Sequence, residues 1–187
     1  MCTLPEPRRL PGDLAMWFFI LAELSVFAIL ILAFAVTQVL KPEVFAAGRA
    51  QLDTSTGLAM TLSLLTAGLL AALALQQVRL QRWRRGAGLF VAALLVALVY
   101  VAIKLTEYAH LGAAGLGLEH STFFTLYWIL TGFHFLHVLL GMVILAWLAL
   151  GCWRGGLSVG GLESGVLYWH MVDLVWVVLF PLVYVIG

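Results

Sequence analysis

A histidine and an aspartate stand three residues apart in Tyr168-Trp169-His170-Met171-Val172-Asp173-Leu174-Val175-Trp176, within an apolar run that continues to residue 187. On a helix, residues three apart share a face, so the imidazole and the carboxylate would lie side by side. Each such group in hydrocarbon costs roughly 2.5–3.5 kcal/mol on insertion scales, so both must face protein or trapped water. Trp169 and Trp176 are seven apart and fall on one stripe near that face, as expected for a side pressed against other protein. Three other apolar runs carry comparable groups. Glu23 stands ten residues into the first, about 14 Å deep at 1.5 Å per residue. His134 and His137 share a face in Thr131-Gly132-Phe133-His134-Phe135-Leu136-His137, with Gly132 beside it; Gly141, four residues on, would admit a backbone or a lipid chain. Lys104 and Glu107 stand one turn apart near the end of a further run.

Three chemistries fit these residue types. His134, His137 and His170, completed by Asp173 or Glu23, could ligate haem iron or another metal. Against this, one helix holds two of the histidines within a turn, and no cysteine or carboxylate cluster stands at ligand spacing. Glu23, Asp173 and the histidines could instead relay protons in an independent transporter, although only Pro181 interrupts a run and it lies near an end. The reading with fewest assumptions is an interhelical hydrogen-bond lattice of Glu23, His134, His137, His170 and Asp173 near the midplane, holding the bundle together or docking it on a partner. Lys104 and Glu107 read first as an internal ion pair that eases the insertion of both, with a proton or ligand role second. Tyr108 and His110 then read as interface anchors.

The elements that must position these groups are helices. With 64% hydrophobic and 10% charged residues, the chain lacks the polar surface of a water-soluble globule, and its net charge of +1 gives no basic face for nucleic acid. Five apolar runs, near 14–40, 54–79, 86–111, 121–151 and 162–186, each reach the roughly 20 residues that span a bilayer. They predict one all-α bundle of five transmembrane helices over residues 1–187, joined by short links. Pro11-Gly12-Asp13 is a plausible N-cap for the first run, which reads as an uncleaved anchor although Ala33-Phe34-Ala35 mimics a cleavage site. Thr54, Ser55, Thr56, Thr61, Ser63, Thr66 and Gly68 give the second run small residues for close packing.

Basic residues set the expected orientation. Arg8, Arg9, Arg79, Arg82, Arg84, Arg85 and Arg154 fall on one side, and Lys41 and Arg49 on the other. Since Lys and Arg are retained in the cytoplasm, the N-terminus is expected inside and the C-terminus in the periplasm. Arg79, Arg82, Arg84 and Arg85 could also grip anionic lipid headgroups, or serve as topology signals only. Cys2 and Cys152 make no disulfide framework and read as reduced and inert, with lipidation of Cys2 the outside alternative.

Met16-Trp17-Phe18-Phe19-Ile20-Leu21-Ala22-Glu23, Thr106-Glu107-Tyr108, Ser121-Thr122-Phe123-Phe124, Thr131 to Val138 with Gly141, and Glu163 ahead of Tyr168 to Trp176 together resemble subunit III of haem–copper oxidases. The resemblance covers nearly the whole chain. It implies a non-catalytic helical subunit of the bacterial cytoplasmic membrane, beside a haem-bearing catalytic subunit. No cofactor or metal would be bound by this chain itself, phospholipid would bind between helices, and the role would be stability, assembly or proton supply. Glu23 matches the family's buried first-helix carboxylate, and Glu107, His134, His137, Glu163, His170 and Asp173 its recurrent polar positions. Longer oxidase members have two further N-terminal helices, so a lipid cleft between two helix groups is expected to be absent or closed by a partner. Lys104 stands where long oxidase versions are expected to carry an uncharged residue. The five-helix form with Lys104-Leu105-Thr106-Glu107-Tyr108 looks more like the subunit-III-like protein that accompanies nitric oxide reductase in denitrifying bacteria. A terminal cytochrome c or quinol oxidase is the alternative.

Overall fold

A computed structural model describes residues 12–186. Cys2, Arg8 and Arg9, with the readings that rest on them, lie outside the described residues. The described chain is helical: α1 Leu14–Leu40, α2 Pro42–Arg49, α3 Thr54–Arg79, α4 Trp83–Ala113, α5 Thr122–Arg154 and α6 Val159–Phe180, extended by a π-helical turn, Pro181–Val185. All but α2 are long and apolar enough to cross a membrane, α6 being counted with its π turn.

Local chemistry sets the helix ends. Asp53 caps α3, accepting from the Ser55 and Thr56 N–H groups, while Ser121 and Ser158 cap α5 and α6. Gly155, with φ +68°, closes α5 in the left-handed conformation that glycine reaches without strain. Three expectations need correction. Asp13 occupies the N-cap of α1 but its side chain makes no capping bond; its N–H instead donates to Ser164 Oγ on α6 at 3.1 Å. The link after α1 contains a helix, α2, because Pro42 fits a first helical position and Phe45 supplies an anchor. The link expected over 80–85 shrinks to three residues, since α4 starts at Trp83 and takes Arg84 and Arg85 into its first turn.

The helices run alternately, so the ends of α3 and α5 and the starts of α1, α4 and α6 share one side, termed here the arginine end. α6 is the most enclosed span and α1 the least. Buried alanines on α3 (Ala67, Ala71, Ala74) and α4 (Ala87, Ala93, Ala97) let two backbones run close together. At the opposite end Phe34, Phe45 and Phe123 pack edge to face with centroids 5.0–5.9 Å apart and hold α2 on the bundle. Leucines, isoleucines and valines such as Ile29, Leu95 and Leu139 cover the outside, as a lipid-facing surface requires.

Candidate functional site

The intramembrane ionisable groups do not form one lattice. Apart from His134, they separate into three places because the helices carrying them turn different faces inward.

The first place joins α1 to α5. Glu23 Oε2 lies 3.0 Å from His137 Nε2, and the other ring nitrogen, Nδ1, is 2.8 Å from the Phe133 carbonyl. That carbonyl can only accept, so Nδ1 carries a proton. Phe27 and Phe133 flank the imidazole with centroids 5.1 and 4.5 Å away. The Tyr168 hydroxyl donates to the His137 carbonyl at 3.3 Å, tying α6 into the same joint.

The second place lies in the half of the bundle opposite the arginine end. Lys104 is fully buried, and its Nζ donates to Glu107 Oε2 at 2.6 Å and to the hydroxyls of Tyr127 and Tyr184 at 3.0 Å each. Three N–H groups thus meet three acceptors. Tyr184 OH donates in turn to the Glu107 carboxylate at 2.9 Å. The rings of Tyr108, Tyr127, Trp176 and Tyr184 surround the ammonium with centroids 4.8–5.7 Å away. Pro181 has no N–H to continue the α-helical ladder, and the chain widens into the π turn that carries Tyr184 inward. The i, i+3 spacing exposes the Lys104–Glu107 relation in the sequence; it gives no sign of Tyr127 and Tyr184, which read there as ordinary aromatic residues of apolar runs. Tyr108 is partly buried and donates to Thr131 Oγ1 at 2.9 Å. His110 is exposed.

His134 sits between these places. It is fully buried and stacked on Trp176, 5.1 Å between centroids, and neither ring nitrogen has a hydrogen-bond partner. Trp176 donates to Thr61 Oγ1 on α3 at 3.0 Å, a contact that periodicity alone does not reveal.

The third place is the seam of α3 and α6. His170 Nδ1 and Asp173 Oδ2 are 3.7 Å apart, with side-chain exposures of 44% and 7%. Gly68 on α3 lies against the carboxylate, and a Cβ there would overlap Asp173 Oδ2. Toward the arginine end, Arg79 pairs with Glu163 at 2.6 Å, so Arg79 is engaged inside the bundle's own rim; Arg82, Arg84 and Arg85 line a depression at that end.

The remaining expectations resolve simply. Gly141 receives neither backbone nor lipid but the indole of Trp169. Gly132 faces open space. Trp169 and Trp176 are both buried within the bundle, so their stripe is satisfied by this chain's own helices. Cys152 is a buried free thiol. The three histidines point to separate neighbours, and among the described residues no three of His, Cys, Asp and Glu converge to hold a metal.

Architecture and site together define a polytopic membrane bundle in which Glu23 with His137, and Lys104 with Tyr127 and Tyr184, connect helices. The chain belongs to the cytochrome c oxidase subunit III family, which it matches over residues 12–187. It is 31% identical to a probable quinol oxidase subunit 3 of Staphylococcus aureus, over 94% of this chain and 89% of that one. It is 30% identical to a heme-copper oxidase subunit I+III of Aeropyrum pernix over 92% of this chain, and spans about a fifth (22%) of that relative's length.

Proposed function

We propose that this chain is the non-catalytic accessory subunit of a haem–copper superfamily respiratory complex in a bacterial cytoplasmic membrane, with its N-terminus inside. The family match over residues 12–187 carries the reading. The name of the Aeropyrum pernix relative joins a subunit I to a subunit III in one chain, which supports a subunit I type of partner for this chain too. Haem then belongs to the partner, and this chain contributes no ligand. The names of the Staphylococcus aureus relatives favour a terminal quinol oxidase over nitric oxide reductase, to which Lys104 inclined the sequence reading. Lys104 itself has a complete explanation inside the bundle, as the donor that ties α4 to Glu107, Tyr127 and Tyr184. Its contacts therefore give no support to either substrate of the partner.

Purification of the tagged chain from native membrane tests the reading. A larger companion with a haem spectrum is expected, and oxygen consumption with a quinol donor separates an oxidase from a complex that consumes nitric oxide. A chain that purifies alone, in mild detergent, with no haem absorption would point to an independent transporter. Phospholipid is expected to co-purify, held at the arginine end by Arg82, Arg84 and Arg85.

A further inference from the structure

We propose that the groove between α3 and α6 around Asp173 seats a transmembrane helix of the haem-bearing subunit, which brings a hydrogen-bond donor or a cationic side chain to the Asp173 carboxylate. This rests on the accessory-subunit reading above and specifies the docking face.

Counted from the arginine end, Gly68 lies 11 residues into α3 and Asp173 14 residues into α6, about 17 and 21 Å along, which puts both deep in the hydrocarbon. The groove there measures about 350 Å³ and is rimmed by Leu65, Leu69, Leu174 and Val177. Asp173 lines it, yet its side chain is only 7% exposed, and its Oδ1 makes no hydrogen bond. Trp169, one turn back, turns its indole N–H toward the carboxylate as a donor, although the contact falls short of a well-formed hydrogen bond. On the other oxygen, His170 stands at 3.7 Å, beyond hydrogen-bonding distance, and its imidazole is 44% exposed toward the outside of the bundle.

A half-exposed imidazole over an incompletely bonded carboxylate is not a surface for lipid, because acyl chains donate nothing. The two other ionisable joints are closed by this chain: Lys104 has all three donors engaged, and Glu23 has His137. The Asp173 groove alone among these is left to be completed from outside. Its floor exists only because position 68 is glycine, whose missing Cβ makes room for the carboxylate. A second depression shares His170 with the groove and continues past Ala72 and Gln76 to the Arg79–Glu163 pair. The combined track runs from mid-membrane to the arginine end, the length of a helix contact and not of a point site. Its polar pattern, a carboxylate held only by a long His170 contact and an incompletely formed Trp169 bond, sets the chemistry of the occupant.

Photo-crosslinking of the intact complex in native membranes tests this. Benzoylphenylalanine at Leu69 or Leu174, which rim the groove and are 59% and 58% exposed, is compared with the same probe at Leu32 on α1 and Leu95 on α4, which are 62% and 59% exposed. All four side chains face outward, so the probes leave the core untouched. Positions 69 and 174 are expected to cross-link to the haem-bearing band at least tenfold more than positions 32 and 95, and Asp173→Asn to reduce the retained companion. Cross-linking to that band from 32 or 95 but not from the groove would overturn the docking face while leaving the accessory-subunit reading intact. Adducts at 69 and 174 with phospholipid mass alone would make the groove a lipid site and end the proposal. Absence of any haem companion in the uncross-linked preparation would remove the accessory-subunit reading itself.

Discussion

The indole of Trp169 on α6 lies on the bare backbone of Gly141 on α5: a Cβ at position 141 would stand 2.8 Å from Trp169 Cε3 and 3.0 Å from Cζ3. The contact closes the bundle one turn from His137 and fixes how α6 is rotated, so that Asp173 faces α3.

Gly141→Ala sets two effects against each other. Alanine gains about 1 kcal/mol of helix propensity over glycine, whereas overpacking a well-filled site costs about 1–3 kcal/mol. A rigid, fully buried indole cannot step aside cheaply, so a net loss is expected in thermal denaturation of the detergent-solubilised chain. Trp169→Leu in the same background should restore part of it. Equal stability of Gly141→Ala and wild type would show that the indole moves freely.

The Lys104 cluster predicts a coupled pair. Lys104→Met strands the Glu107 carboxylate in a buried setting, where removing one partner costs about 3–5 kcal/mol. Lys104→Met with Glu107→Gln should recover most of that loss, since the amide can still accept from Tyr184 while carrying no charge. Additive losses in the double-mutant cycle would mean that the two charges act independently.

For the α1–α5 joint the expected effect is small. Interhelical hydrogen bonds in membranes average about 0.6 kcal/mol, and Glu23→Gln keeps an oxygen and adds a donor opposite His137. Stability should fall by less than about 1 kcal/mol, and the haem companion should be retained. Loss of the companion on this substitution would give the joint a role at the subunit interface.

Asp53 lies outside the spans and supplies a pH test. Hydroxyl bonds from Thr56 and Ser55, with the Ser55 N–H, lower its carboxyl from 3.8 to about 2. A carboxyl pKa depressed on folding stabilises fully above the unfolded value and loses that effect as pH falls from about 4 toward 2. Protection of the Ser55 and Thr56 amides, taken relative to intrinsic exchange at each pH, should therefore fall across that window in the wild type. Asp53→Asn, which caps without titrating, should show a flat profile.

Filling the groove floor is a further check on the seam. Gly68→Ala overlaps Asp173 Oδ2, so it should lower the melting temperature by a few degrees, and Asp173→Ser should relieve it by shortening the side chain. A Gly68→Ala chain as stable as wild type would show that Asp173 turns aside without cost.

The sequence by itself determined that this is a bundle of five spans and that Glu23, Lys104, Glu107, His134, His137, His170 and Asp173 lie within it. Hydropathy over some 20 residues and the cost of charge in oil are local properties, readable one run at a time. The spacing of Lys104 and Glu107 revealed their pairing for the same reason, since both stand on one turn of one helix. Which groups meet across helices was decided only by tertiary structure. Glu23 found His137, Trp176 found Thr61, Tyr184 reached Lys104 through a π turn, and His134 was enclosed by rings, all relations fixed by helix rotation and crossing. An apolar run with residues on every side carries no strong face to report that rotation. It was set by contacts as particular as Gly141 under Trp169 and Gly68 under Asp173, where a missing Cβ let one helix settle on another.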